Sequence, residues 1–258
     1  MLTGIDHLII LIRDLETGLE SYAQLGFNVV RGGRHPTGTH NGLIGFDDGS
    51  YLELLAFYEP KPESKLWPKL QQGGGLVDCC LQTDNLRADI AAFREAGIDM
   101  SDPMPLSRVR PDGYRLDWLL SLYGGQHRGV VPFLIEDVTP REERVPKERT
   151  HPNRVTGIET LTIAVDNLET IRSWYEGMLR TKGREIERPD LDAIGVRFRI
   201  GPHDFEFVIP EHPGLVSEWL RRRGPSLYGA TLTTTSSNEG PLDETKSLGA
   251  QLALVTEV

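Results

Sequence analysis

One pattern, a strand followed by a capped helix, occurs three times along the chain and constrains its fold more than any other sequence feature. The three copies begin at Gly4, Gly75 and Gly157, and each opens with a strand-like apolar run. Each run ends in an Asp or Asn followed by Leu, at Asp14-Leu15, Asn85-Leu86 and Asn167-Leu168. Leu86 and Leu168 follow Leu15 at offsets of 71 and 153 residues, so the copies share one register.

The stretch after each Asp or Asn is predicted to be helical. Asp and Asn are natural N-caps, and apolar residues recur at helical spacing behind them. Gly26 and Gly97 follow the first two stretches, where a left-handed C-cap residue belongs.

Two or three strand-like segments follow each helix. FNVVRGG, HNGLIGF and YLELLAF follow the first, the hairpin SRVRPDGYRLDWLLSLYG and GVVPFLIE the second, and GVRFRIG and HDFEFVIP the third. The tail offers only LYGATLTTTS and AQLALVTEV, an abbreviated fourth module without a proper helix. A plain α/β fold would need more helices and a parallel sheet. We therefore predict an α+β fold of three full βαβββ modules and one abbreviated module, whose mixed sheets curl around a cleft.

A charged stretch with three prolines, DVTPREERVPKERTHPNR, is the best candidate for a domain boundary. We expect two paired-module domains, at residues 1–140 and 154–258, joined by a linker at 141–153.

Composition excludes several classes of protein. The net charge of −10 argues against nucleic acid and anionic membranes as partners. No apolar run reaches the roughly 18 residues of a spanning helix, and the first residues are typical of a strand rather than a signal peptide. Two adjacent cysteines, Cys79 and Cys80, form no disulfide framework. We expect a cytoplasmic protein with a small-molecule substrate.

IDHLII at the first strand and YLELLAF at the fourth resemble the vicinal oxygen chelate superfamily, which includes glyoxalases, bleomycin-resistance proteins and extradiol dioxygenases. RHPTGTHNGLIGFDDGSYLELLAF, SRVRPDGYRLDW and VPFLIE resemble its glyoxalase-like branch. The resemblance implies two half-barrel domains, each of two paired modules. It also implies a divalent metal ion (of the Zn, Mn, Fe or Ni type) held by residues of the first and fourth strands. Members pair their modules within a chain or across a dimer, and we expect a homodimer.

His7 and Glu53 are the candidate metal ligands in the first module. Each alternates with apolar residues in its strand, and a buried carboxylate is costly unless it is paired, hydrogen-bonded or metal-bound. A divalent ion accepts imidazole and carboxylate together. The alternative is a hydrogen bond between the two that only satisfies two core polar groups.

The other modules match the implied ligand set less well. The offset of 71 places Asp78 at the position of His7, and we expect Asp78 to be the third metal ligand. If Phe133 matches Leu52, Leu134 takes the place of Glu53, and Glu136 is the nearest carboxylate. In the third module Thr160 replaces His7 while Glu206 remains, so we expect the C-terminal domain to be structural or dimerising.

Two further segments are candidates for substrate binding. In RHPTGTHN, we expect His35, His40 and Asn41 to line the mouth of the cleft. The alternative is an exposed turn. In the hairpin, Arg108 with Arg110 could hold an anionic group, and Trp118 is a candidate cleft wall. The alternatives are a solvated hairpin and a core tryptophan.

Three classes of function follow. The first is a metal-dependent lyase or isomerase that acts on a small oxygen-rich metabolite, chelating two neighbouring oxygens and stabilising an enolate or oxyanion. Glu53 and Glu136 are its candidate catalytic carboxylates. Ring-cleaving dioxygenase chemistry fits less well, since those members use two His and one Glu, and His40 could supply the second only if its loop folds inward. The second class is a metal-free protein that sequesters a small molecule, and the third is a purely structural or dimerising module.

Overall fold

Each sequence module contributes its first strand to the middle of a mixed β-sheet. The computed structural model describes residues 1–110, 112–125 and 129–257. The strands are β1 (Leu2–Leu11), β2 (Val30–Arg34), β3 (Thr39–Gly45), β4 (Tyr51–Phe57), β5 (Gly75–Thr83), β6 (Met104–Val109), β7 (Arg115–Ser121), β8 (Phe133–Asp137), β9 (Val155–Ala164), β10 (Arg184–Arg188), β11 (Ala193–Ile200), β12 (His203–Pro210), β13 (Ser226–Thr234), β14 (Gly240–Pro241) and β15 (Leu252–Thr256). The helices are α1 (Leu15–Gln24), α2 (Trp67–Gln71), α3 (Leu86–Glu95), α4 (Arg141–Arg144), α5 (Leu168–Leu179) and α6 (Leu215–Arg223).

The three predicted helices begin at their predicted caps. Asp14 accepts a hydrogen bond from the backbone N–H of Thr17, and Asn85 and Asn167 make the equivalent bonds at α3 and α5. Gly26 and Gly97 follow α1 and α3 with φ of +87° and +89°, in the left-handed region.

Modules one and two form an eight-stranded sheet in the order β2-β3-β4-β1-β5-β8-β7-β6. Modules three and four form a seven-stranded sheet in the order β10-β11-β12-β9-β13-β15-β14. In each sheet the first strand of a module pairs in parallel with its own fourth strand and antiparallel with the first strand of its partner module. This topology confirms the predicted α+β class of paired modules, and the modules pair within one chain.

The fourth module has the predicted short form. β13 pairs in parallel with β15, and no helix lies between them in the described residues. The predicted hairpin of the second module is formed by β6 and β7, with Asp112-Gly113 in its turn. Pro111 of that hairpin lies outside the described residues.

The registers of the sheets correct one predicted equivalence. Glu53 pairs with Ile9, and Phe133 pairs with Cys80, which is Ile9 shifted by 71 residues. Phe133, and not Leu134, therefore takes the place of Glu53 in the second module. Glu206 pairs with Thr162, so the third module keeps the carboxylate at this position.

The segment between the sheets packs closely against the first sheet. His151 is buried against Phe27 and Phe46, and its Nε2 is hydrogen-bonded to the backbone oxygen of Gly45 at 2.8 Å. The two halves also share one apolar core. The division at 141–153 stays a prediction.

None of the helices in residues 1–110, 112–125 and 129–257 is long and apolar enough to cross a membrane.

Candidate active site

The first sheet curls around a cavity of about 410 Å³. Most of its wall is apolar, with contributions from β1, β3, β4 and β6 to β8: Ile9, Leu43, Leu55, Leu106, Leu120 and Phe133. Ser64, Lys65 and Leu66, from the connection between β4 and β5, also line it. Polar and charged side chains interrupt this apolar surface, and their arrangement defines the chemistry that the cavity can support.

A β-bulge in β1 places an acidic residue behind His7. Ile5 pairs with Leu81 and His7 pairs with Cys80, so Asp6 is the extra residue in β1. Its carboxylate is fully buried and lies 2.6 Å from Nδ1 of His7. Asp6 was not predicted from the sequence, because in a regular strand its side chain would point away from that of His7.

Two arginines of α4 hold the Asp6 carboxylate in its ionised form. Arg144 donates to both Asp6 oxygens, at 2.9 and 2.7 Å, and Arg141 donates to Oδ2. Burial alone would raise the pKa of Asp6, but the charge of Arg144 and the hydrogen bonds from His7 and Arg144 outweigh it, so the pKa lies well below its usual range. An ionised carboxylate only accepts hydrogen bonds, so Nδ1 of His7 carries the proton.

His7 therefore presents its other ring nitrogen, Nε2, to the cavity. Its ring stacks on Tyr51 at a centroid distance of 4.7 Å and meets the edge of Phe133 at 5.5 Å. Nε2 lies 3.5 Å from Oε2 of Glu53. Both side chains line the cavity.

Glu53 is fixed through its other oxygen. Nδ2 of Asn41 donates to Oε1 at 2.5 Å, and Oδ1 of Asn41 accepts from the backbone N–H of Gly33 at 2.8 Å. A Cβ on Gly32 would lie 2.0 Å from Oδ1 of Asn41, so this strand position needs glycine. Asn41 thus leaves Oε2 of Glu53 beside His7.

His35 is a third group near this pair. Its Nε2 lies 3.9 Å from Oε1 of Glu53, and its Nδ1 lies 2.9 Å from the hydroxyl of Thr39. Burial lowers the pKa of His35 below its ordinary value, which favours the neutral imidazole. His35 was expected at the mouth of the cleft, and the structure places it beside Glu53.

Asp78 lines the cavity but does not complete a cluster with His7 and Glu53. The hydroxyl of Tyr123 lies 3.1 and 3.0 Å from its two oxygens. Among the described residues, the groups of three possible ligands within 4.8 Å of one another are Asp6-His7-Cys80 and the exposed Asp192-Glu211-His212. The predicted set of His7, Glu53 and Asp78 is therefore not assembled as a compact site.

The Asp6-His7-Cys80 group is poorly suited to hold a metal ion. Asp6 is already paired with two arginines and with His7, and burial raises the pKa of the Cys80 thiol well above its usual value. The His7-Glu53 pair fits a divalent ion better. One nitrogen and one oxygen donor face the cavity together, and a carboxylate holds the outer nitrogen of His7, as is usual for metal-bound histidine.

Two predicted site residues lie outside the cavity wall. Glu136 is on the opposite side of β8 from Phe133 and Ile135, and its Oε2 accepts a hydrogen bond at 2.6 Å from the backbone N–H of Leu86 at the start of α3. His40 alternates with Thr39 and Asn41 in β3, and its ring meets the edge of Tyr58. Both placements follow from the two-residue period of a strand.

Arg108 and Trp118 line the cavity, as expected, whereas Arg110 does not. Arg110 pairs with Asp112 and Glu143. Arg108 is only 8% exposed, and its Nε has no hydrogen-bond partner in the part of the chain described. Burial lowers the pKa of its guanidinium.

The equivalent position in the second sheet is filled by charged side chains. Glu206 accepts hydrogen bonds from Arg188 and Arg197, and Arg188 also lies 3.3 Å from the hydroxyl of Thr162. Thr160 replaces the imidazole. The Glu206 carboxylate is thus already paired with two arginines, and the structural or dimerising role expected of the C-terminal domain stays a prediction.

Arg144 and Tyr51 complete the site and were missed from the sequence. The Tyr51 hydroxyl accepts a hydrogen bond from Arg144 at 3.0 Å, and both residues line the cavity. Arg144 belongs to the charged stretch that suggested only a linker. The arginines of REER were the one available signal, and nothing in the sequence pointed to Asp6 as their partner.

Residues 5–179 match the model of a family described as the glyoxalase-like domain. No curated protein matches the sequence. Among solved structures, a hypothetical protein from Staphylococcus aureus aligns over the whole of both chains, with a TM-score of 0.72 and 16% identity. A mutant of 4-hydroxymandelate synthase from Streptomyces coelicolor aligns over 99% of this chain and 93% of its own, with a TM-score of 0.65 and 12% identity.

A fusion of a xylose isomerase-like TIM barrel with 4-hydroxyphenylpyruvate dioxygenase covers 92% of this chain, which spans 37% of the fusion, at a TM-score of 0.54 and 14% identity. At such identities the structural likeness concerns the fold. The family match covers more than half of the sequence, and the chain belongs to the glyoxalase-like domain family of the vicinal oxygen chelate superfamily.

Proposed function

We propose that this protein is a metal-dependent enzyme of lyase or isomerase type that acts on a small organic molecule with neighbouring oxygens. The observation that carries the proposal is the pair formed by His7 Nε2 and Glu53 Oε2, 3.5 Å apart in a cavity with mostly apolar walls. The outer nitrogen of His7 and the second oxygen of Glu53 are both held by buried partners. Such preorganisation is what a reactive site needs.

In this proposal His7 and Glu53 hold a divalent ion, with His35 as a third group on the Oε1 side of Glu53. When bound, the ion supplies a Lewis acid that polarises a substrate oxygen. In this proposal His35 carries a proton to or from the substrate through Nε2, because it lines the cavity and its Nδ1 is hydrogen-bonded to Thr39. The apolar walls exclude water from the reacting end of the substrate.

Metal content of the purified protein tests the proposal. Protein prepared without chelator is analysed by inductively coupled plasma mass spectrometry, together with His7→Ala and His40→Ala. We expect one equivalent of a divalent metal in the wild type and in His40→Ala, whose ring lies outside the cavity wall, and loss of that metal in His7→Ala. A wild type that neither retains nor takes up a divalent ion would overturn the proposal.

A metal-free protein that sequesters a small molecule is the second candidate. Two observations favour it: Phe133 stands where the second module would supply a carboxylate, and Asp78 is hydrogen-bonded to Tyr123. This candidate predicts that organic ligands stabilise the metal-free protein as strongly as the metal-loaded protein. Thermal shift measurements on metal-free and metal-loaded protein distinguish this candidate from the metal-dependent enzyme.

A further inference from the structure

Arg108 is a buried cation in the wall of the cavity, and no acidic residue in the described part of the chain forms a salt bridge with it. The residue is only 8% exposed. Nε is buried without a hydrogen-bond partner, and within residues 1–110, 112–125 and 129–257 the guanidinium forms no salt bridge. The charge of Glu53 acts on it only from beyond ion-pair distance. Burial of an ion without a partner is expensive, so it persists where something else selects for it.

The other buried arginine of the site shows what a structural role looks like here. Arg144 is also buried, and it is bound to Asp6, Asp137 and the hydroxyl of Tyr51. Glu53 does not serve Arg108 in this way, since one of its oxygens accepts from Asn41 and the other lies beside His7.

Two glycines of β2 leave the space that the Arg108 side chain occupies. A Cβ on Gly33 would lie 3.1 Å from Cδ of Arg108, and a Cβ on Gly32 would lie 3.1 Å from its Nη1. Larger residues at either position of β2 would crowd the guanidinium. The RGG sequence therefore makes room for a charged group in the cavity wall.

We propose that Arg108 binds the carboxylate of the substrate, and that the substrate is an apolar organic acid. The planar guanidinium matches a carboxylate through two parallel hydrogen bonds. Leu106 lies on the same face of β6 as Arg108, and Trp118 of the neighbouring strand β7 is paired with Leu106. Both line the cavity, so apolar surface adjoins the cation. A cavity of about 410 Å³ is large enough for a small organic ligand. This inference rests on the proposed function in one respect only: the proposed metal site at His7 and Glu53 sets where the reacting end of the substrate lies.

Thermal shifts with matched ligands test the inference. A panel of arylalkyl and alkyl carboxylic acids, including 4-phenylbutyrate and octanoate, is compared with the corresponding primary amides on the wild type, Arg108→Met and Arg110→Met. We expect the acids to stabilise the wild type more than the amides, and titration calorimetry to give about 100-fold weaker acid binding in Arg108→Met. Arg110→Met should retain the preference for acids, because Arg110 is paired with Asp112 and Glu143 outside the cavity wall.

Arg108→Met should melt no lower than the wild type, since it removes an unpaired buried charge. If it does not fold, Arg108→Lys replaces it and should lose most of the preference, because an ammonium cannot form the bidentate pair. The inference is overturned if no acid of the panel is preferred to its amide, or if inorganic phosphate or sulfate reproduces the effect of the acids. The shifts are measured on metal-free protein as well, so a preference for acids in a protein that binds no metal contradicts only the proposed function.

Discussion

At the scale of the single residue, the site depends on an ion pair behind the imidazole. Asp6 has no exposed surface and is held by His7, Arg141 and Arg144. Loss of one partner in such a group leaves the opposite charges buried and uncompensated, which costs far more than loss of an exposed pair.

Asp6→Asn tests this dependence. We expect its free energy of unfolding to fall by about 3–5 kcal/mol, because the fully buried anion shared by Arg141, Arg144 and His7 is lost and Arg144 keeps only Asp137 as an acidic partner. Urea denaturation measures the change. Asp112→Asn, which removes an exposed partner of Arg110, is the matched control and should cost less than about 1 kcal/mol. Equal losses in the two variants would contradict this account.

The sequence identified His7 and Glu53 as candidate site residues because each is a polar residue inside an apolar strand. It could not predict Asp6 or Arg144. In a regular strand Asp6 would face away from His7, and only the bulge brings the two side chains together. His35 was assigned to the mouth of the cleft because loop geometry cannot be derived from residue types alone.

At the scale of the element, the face of β8 decides which carboxylate can reach the cavity. The run VVPFLI is apolar on both faces, so alternation could not show which side points inward. The structure turns Phe133 and Ile135 toward the cavity and Glu136 toward α3. The helices were easier to predict, because Asp14, Asn85 and Asn167 mark their starts.

Glu136 at the start of α3 is predicted to act on stability alone. Glu136→Ala removes an acceptor for the Leu86 N–H and a negative charge at a helix N-terminus, and should lower the free energy of unfolding by about 1 kcal/mol. Urea denaturation and metal analysis are run on the same preparations, with Glu53→Gln as the comparison. Loss of metal from Glu136→Ala would contradict this prediction and indicate that Glu136 takes part in metal binding.

At the scale of the whole molecule, the module repeat predicted mixed sheets built from paired modules, but it left open whether the modules pair within one chain or across a dimer. It did not show how tightly the segment after β8 is bound to the first sheet, because charge and proline content are also typical of free linkers. His151 lies in that segment. Its Nδ1 accepts from the backbone N–H of Asn28, and its Nε2 reaches Gly45, so it is held as the neutral imidazole.

The buried state of His151 predicts a dependence of stability on pH. Burial lowers the pKa of His151, although Gly45, Glu148 and Asp47 act in the opposite direction. Above the unfolded value of about 6.5, His151 is neutral in both states and its stabilisation is complete. As the pH falls below that value and through the folded pKa, the unfolded chain takes up the proton more readily and the stabilisation is lost.

Melting temperatures between pH 7.5 and about 5 should therefore fall for the wild type and fall less steeply for His151→Gln. His212→Gln is the control, because this exposed residue has its pKa raised by Asp192. Parallel curves for the wild type and His151→Gln would show that His151 does not contribute.

The contact between Asp6 and α4 has a consequence for the order in which the protein matures on the ribosome. Residues 1–137 contain every strand of the first sheet, but the arginines that neutralise Asp6 are translated only afterwards. Until they emerge, a nascent first half that closed its core would bury an uncompensated acid in its middle strand. The fixed orientation of the His7 imidazole therefore requires the chain up to Arg144, beyond the last strand of the first sheet.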